Sequence, residues 1–267
     1  MKSTIQLGRA FKELIQYRQL LFMITYRDIK VRYKQSIMGV MWAVLMPIMI
    51  VVSGIVVRYV YAIAAHVPLK AADIASVAVK SLPWAFIVAS IRFSCYSLTN
   101  NVNLVTKINF PKEIFPIGSV LASLFDFFIA AAGLIVFLTI ERIGVGPNLL
   151  WAPVLVAILI LMATGIGMFV SAASLFLRDV KFIVEVFLTF GIFFTPVFFD
   201  ASMFGKNGKW LMLNPLSPVL DGLGSCVARH QPPNLPWVAY SAAFALVSVV
   251  AGYSFFKHLE PAFAENI

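Results

Sequence analysis

Trp151-Ala-Pro-Val-Leu-Val-Ala-Ile-Leu-Ile-Leu-Met-Ala-Thr-Gly-Ile-Gly-Met-Phe-Val-Ser-Ala-Ala-Ser-Leu-Phe-Leu177 runs for 27 residues without a charged side chain. As a helix rising 1.5 Å per residue it would be about 40 Å long, and about 20 apolar residues already cross the hydrocarbon core of a bilayer. Five further apolar runs repeat the signal, at 37–57, 82–98, 118–140, 183–199 and 237–256. Composition agrees. Of 267 residues, 61% are hydrophobic and 12% charged, with a mean hydropathy of +0.90, whereas soluble domains carry about 25% charged residues. The sequence predicts an all-α polytopic membrane protein with six transmembrane helices, and it excludes an ordinary soluble enzyme.

The charges between the runs are sorted by side. With six spans and an inner N-terminus, the inner segments hold 13 of the 21 Lys and Arg residues, eight of them in the leader: Lys2, Arg9, Lys12, Arg18, Arg27, Lys30, Arg32 and Lys34. The outer loops hold seven: Arg58, Lys70, Lys80, Arg142, Lys206, Lys209 and Arg229. This bias places both termini in the cytoplasm. The net charge of +9 comes mostly from the leader, so it points to a membrane surface or an anionic headgroup, not to nucleic acid. Cys95 falls inside a span and Cys226 in an outer loop, which predicts two unpaired thiols. The basic leader runs 36 residues, and the apolar run after it is too long and has no small-residue cleavage pattern, so no cleavable signal is read.

Within the leader, Phe11, Leu14, Ile15, Leu21, Phe22 and Ile29 recur at helical spacing, while Lys12, Arg27, Lys30 and Lys34 fall away from them. That pattern describes an amphipathic interface helix, serving as an anchor or as a functional basic surface. The inner connection 101–117 mixes Leu104, Val105, Ile108, Phe110, Ile114 and Phe115 with Lys107, Lys112 and Glu113. So many apolar residues must bury in headgroups or in a partner. The outer connection of about 37 residues before the last run is turn-rich yet apolar, which predicts short re-entrant helices covered by protein or lining a cavity.

Chemistry is sparse. There is no Gly-x-x-x-x-Gly-Lys-Ser/Thr phosphate loop, His66, His230 and His258 lie far apart, and no acid pair occupies a loop. No catalytic residue, metal site or cofactor is therefore assigned to this chain. Within the spans the ionisable residues are Arg92, Asp126 and, near the inner edge, Glu185, which is expected to pair with Lys181 one helical turn away. Arg92 and Asp126 lie at matched depth on consecutive spans and are expected to form a buried ion pair. Phe187, Phe190, Phe194 and Phe198 form one helical stripe that suits lipid, packing or a channel wall, with Pro196 kinking its outer end. Ala163, Gly167 and Ser171 make a close-packing face.

The chain carries Tyr26-Arg-Asp-Ile-Lys-Val-Arg-Tyr-Lys-Gln35 with Gly39-Val-Met-Trp-Ala-Val-Leu-Met-Pro47, then Lys107-Ile-Asn-Phe-Pro-Lys-Glu-Ile-Phe-Pro116. Leu177-Arg-Asp-Val-Lys181, Phe194-Thr-Pro-Val197 and Asn214-Pro-Leu-Ser-Pro218 follow in order. Together these segments resemble type-2 ABC export permeases that move O-antigen, capsular polysaccharide or teichoic acid. The resemblance implies one ABC-2 type transmembrane domain over 1–267: an interface helix at 1–36, a six-span bundle at 37–256 and a cytoplasmic tail at 257–267. It implies a homodimer in the bacterial inner membrane, with spans one and five lining a channel that outer re-entrant helices gate. Two copies of a separate cytoplasmic ATPase would hold ATP and Mg²⁺ and dock on a coupling helix at Lys107, Phe110, Lys112, Glu113 and Phe115. The substrate implied is a lipid-linked polysaccharide of O-antigen or capsule type, its phosphate headgroup received by Arg27, Lys30, Arg32 and Lys34. Phe187, Phe190, Phe194 and Phe198 then become channel-lining aromatics, since C–H faces of sugars stack on rings. The rivals are a drug or lipid efflux permease of the same superfamily, a teichoic acid translocator, and an integral-membrane sugar-lipid transferase, which would need clustered acids.

Overall fold

The computed structural model describes residues 12–34, 38–144 and 146–265. The leader residues Lys2, Arg9 and Phe11 and the first residue of the first apolar run, Ile37, lie outside that description. A helical turn at 12–16 precedes α1 (Arg18–Tyr33), α2 (Met41–Ala65), α3 (Ala71–Ser97) and the short α4 (Val102–Lys107). Then come α5 (Ile114–Ile140), α6 (Trp151–Phe176), α7 (Asp179–Phe190), the short α8 (Gly208–Met212), α9 (Ser217–Ala228) and α10 (Leu235–Leu259). No strand occurs among the described residues. Five helices, α2, α3, α5, α6 and α10, are long and apolar enough to cross a membrane.

The sixth apolar run does not make a sixth long helix. α7 stops at Phe190, a 3-10 turn spans Gly191–Phe194, and Thr195 is extended at φ −124°, ψ 137°. A proline ring drives the preceding residue out of the helical region. Pro196 therefore ends this helix instead of kinking it. Pro47 in α2 and Pro83 in α3, by contrast, sit inside continuous helices.

α3 is the axis of the packing, with most of its residues buried, while α2 is largely exposed. Small residues set how closely the helices approach, which is how helices associate where lipid removes the hydrophobic drive. The expected stripe on α6 faces α3: a Cβ added at Gly167 would lie 2.8 Å from the Ser94 hydroxyl, and the Ser171 and Ser97 hydroxyls are 2.9 Å apart. A second close face of α6 meets α10, where a Cβ on Gly165 would reach within 2.5 Å of the Val249 backbone nitrogen. α1 lies against the start of α5, with Leu21, Ile24 and Thr25 around Gly118. A second core cluster lies at that end, joining Ile24, Val105, Phe110 and Phe115 to Tyr253, Phe256 and Phe263.

Candidate functional site

α7 and the 3-10 turn after it carry their rings outward. Phe187 is 73% exposed, Phe194 70%, and Phe182 and Phe190 are exposed beside them. Phe198 does not join this stripe. It is 7% exposed and packs over Gly54 of α2, because the helix that would have aligned it with Phe194 has already ended. α2 likewise exposes Met46, Met49, Val56 and Val60.

The expected Arg92–Asp126 pair does not form. Arg92 of α3 grips Glu185 of α7 with two nitrogens, at 2.9 Å and 2.9 Å. Asp126 of α5 instead accepts from Arg32 of α1 at 2.7 Å and from the Tyr33 hydroxyl. Depth along the two helices was matched, but the side of the helix was not. Asp126 turns toward α1, which lies on α5. The Glu185–Lys181 pair is also replaced: Lys181 donates to Thr99 at 3.2 Å and stands over the Tyr96 ring.

This redistributes the basic leader. Arg32 is spent inward on Asp126 and on the Phe93 ring, 3.6 Å from its guanidinium carbon. Lys30 and Lys34 stay exposed, and Arg27 stays half-exposed against its neighbour Asp28 at 2.8 Å. Three of the four expected headgroup cations thus remain at the surface, and Arg32 is engaged by Asp126.

The connection 101–117 buries most of its apolar residues in the chain itself and not in headgroups or a partner. Phe110, Glu113 and Phe115 are all buried, so of the five expected docking residues only Lys107 and Lys112 reach the surface. The apolar side chains found their cover in the chain's own C-terminal end. Lys257 of α10 bridges Glu113 at 3.0 Å and Glu260 at 2.8 Å. Exposed Asn103, Lys107 and Ile108 form the outer skin of α4 and its end.

A cluster unforeseen in the sequence sits at the opposite end. Arg58 and Lys80, expected in outer loops, lie inside α2 and α3 at 2% and 0% exposure. Both converge on Asp200, itself 2% exposed. Arg58 donates to it at 2.6 Å, and Lys80 and Arg229 also donate to it. Lys80 further reaches Asp221 of α9 and the Phe199 carbonyl, each at 3.2 Å. Burial alone would push the Asp200 carboxyl up, but Lys80 and Arg58 outweigh it and hold the group well below the usual carboxylate range. One signal could have found two of its cations: Arg58 and Lys80 have mostly apolar sequence on both sides, as in Ala78-Val-Lys-Ser-Leu82. Among the described residues no three His, Cys, Asp or Glu side chains gather in metal-binding geometry.

The ABC-2 type transporter family matches residues 19–227. An O-antigen export system permease protein RfbA of Klebsiella pneumoniae is 24% identical over 250 residues, covering 92% of this chain and 94% of that protein. Another, of Myxococcus xanthus, is 25% identical over 262 residues, covering 97% and 99%. With a family match over most of its length and five helices able to cross a membrane, this chain belongs to the ABC-2 type transporter family as a multi-pass membrane protein.

Proposed function

We propose that the chain is the membrane subunit of an ATP-driven exporter that carries a lipid-linked polysaccharide of O-antigen type across the bacterial inner membrane. The observation that carries this reading is its similarity, over nearly the whole length of both partners, to proteins named as O-antigen export permeases. Energy comes from an ABC ATPase, the partner that membership of the ABC-2 family implies; residues 1–267 themselves hold no phosphate loop. The ATPase docks at the exposed skin of α4, through Lys107, Ile108 and Lys112.

In this reading α7, the 3-10 turn after it and the extended stretch beyond make a sixth crossing, both termini are cytoplasmic, and α8 and α9 re-enter from outside. Two copies face each other across the exposed sides of α2 and α7, since one subunit of this size cannot enclose a polymer. Phe187, Phe190 and Phe194 line the path, and Arg27, Lys30 and Lys34 receive the phosphate headgroup, Arg by its planar fork and Lys as a point charge. Deleting the gene should remove the polymer from the cell surface while lipid-linked polymer accumulates inside. A tagged ATPase should copurify with the chain. Normal surface polymer in the deletion strain would sink the proposal.

A further inference from the structure

The Asp200 cluster gathers charges from three separate parts of the chain: Arg58 from α2, Lys80 from α3, and Asp200, Asp221 and Arg229 from the segment 200–229. Three cations meet two carboxylates. Arg58, Lys80 and Asp200 are essentially without water, and Arg58 Nε finds no hydrogen-bond partner among the described residues. Asp200 alone touches all three cations, whereas Asp221 and the Phe199 carbonyl accept from Lys80 only. Pulling such charges apart exposes each to an uncompensated low-dielectric site, which is far costlier than moving them together.

α7 is held much more lightly. Its polar ties among the described residues are the half-exposed Arg92–Glu185 pair, the Lys181–Thr99 hydrogen bond and the Lys181 ammonium over the Tyr96 ring. Leu188 is its one buried residue, and Val184 is half-buried against the core. The chain from Gly191 to Thr195, between α7 and the cluster, is non-α-helical, and Asn214 reaches it at Thr195 Oγ1, 2.9 Å away.

We propose that Asp200 is a positioning residue that locks the segment 200–229 onto α2 and α3 as one rigid block, which stays seated throughout the transport cycle whatever the more lightly held α7 does. The assignment builds on the transport reading above, but its readout is thiol labelling and not export, and a cysteine at Lys209 labelled in the same cells reports independently whether this segment faces out.

Cys226 of α9 is 0% exposed and supplies a native reporter. In a Cys95→Ala background it is the only thiol of the chain, and a membrane-impermeant maleimide added outside intact cells reads whether α9 stays seated. Cys226 should remain protected in both energised and ATP-depleted cells. Labelling that rises only in energised cells would show that the block opens in each cycle, and would overturn the proposal. The triple change Arg58→Met/Lys80→Met/Asp200→Asn removes the fully buried charges together, a replacement that folded proteins often tolerate. It should assemble and label at Cys226 about tenfold faster, because local opening is no longer resisted by the ion pairs. An assembled triple variant as protected as the parent would also overturn it. Should the triple variant not assemble, Asp200→Glu, which keeps the charge and displaces it by one methylene, takes its place with the same two outcomes.

Discussion

Lys257 neutralises a carboxylate that has no water to fall back on. Glu113 is fully buried, and its Oε1 has no partner among the described residues, so Lys257 on Oε2 is its one countercharge. Burial pushes the Glu113 carboxyl up, with Lys257 pulling against that shift. Lys257→Met should therefore cost up to about 3–5 kcal/mol, as breaking one side of a buried pair does, while Glu113→Gln in the same chain should recover most of the loss. A carboxyl with a raised folded value binds its proton more readily than the unfolded chain, so stability rises as pH falls toward the ordinary 4.5. The thermal-stability deficit of Lys257→Met in detergent should thus shrink between neutral and mildly acidic pH; a deficit that does not change with pH would contradict this account. Asp126 makes a second test. Asp126→Ala strands the Arg32 guanidinium and the Tyr33 hydroxyl, a loss of about 1–3 kcal/mol. Exchanging the charges at 32 and 126 together should restore expression lost in either single reversal, whereas exchanging those at 92 and 126 should not.

At the scale of elements, glycines mark where helices cannot separate by even a methyl group. Gly165→Val should abolish assembly, because its Cβ would strike the backbone of α10. Gly133→Ala in α5 should be neutral or stabilising by up to about 1 kcal/mol, since its Cβ would find only Val44 Cγ1 at 3.8 Å. Equal expression of the two variants would remove this crossing as a determinant. On α7, alanine at Phe187, Phe190 and Phe194 should lower export without loss of assembly, whereas Phe198→Ala, which empties a packed site against α2, should lower assembly itself. Five helices were legible in the sequence because unbroken apolar length is a local property of the chain. The end of α7 was half legible: Pro196 announced an interruption, but whether a proline kinks or stops a helix depends on what can hold the freed backbone. Which charges meet was not legible at all. Arg92 and Asp126 share a depth, and only the azimuth of each helix, set by packing against α1 and α7, decided their real partners. Arg58 and Lys80 were hidden for the opposite reason, since a cation ends an apolar run in a composition window even where the helix continues through it.

At the scale of the whole molecule, everything turns on whether α7 crosses the membrane. Its 12 residues make about 18 Å of α-helix. The four residues of the 3-10 turn add about 8 Å at about 2 Å each. The sum falls short of the hydrocarbon core of about 30 Å, and extended residues from Thr195 onward close the gap at about 3.3 Å each. A crossing is consistent with the charges, because Asp179 and Lys181 stand at one end of α7, Glu185 is paired with Arg92, and from Val186 an uncharged stretch reaches Phe199. The two topologies differ in where Lys209 lies. Lys107 follows two long helices and Lys209 follows four, with α7 between them. If α7 crosses, the two lysines lie on opposite faces; if it does not, they share one. In a Cys95→Ala/Cys226→Ala background, a cysteine at Lys209 should react with an impermeant maleimide outside intact cells, and a cysteine at Lys107 should react only after the cells are opened. The cysteine at Lys107 should also crosslink to the cytoplasmic ATPase and the one at Lys209 should not. Identical labelling of the two sites would leave five crossings, place the C-terminal end on the outer face, and separate the Lys257–Glu113 bridge from the membrane side on which it must close; that bridge joins α10 to the inner connection at 3.0 Å, so an odd number of crossings would require it to be broken.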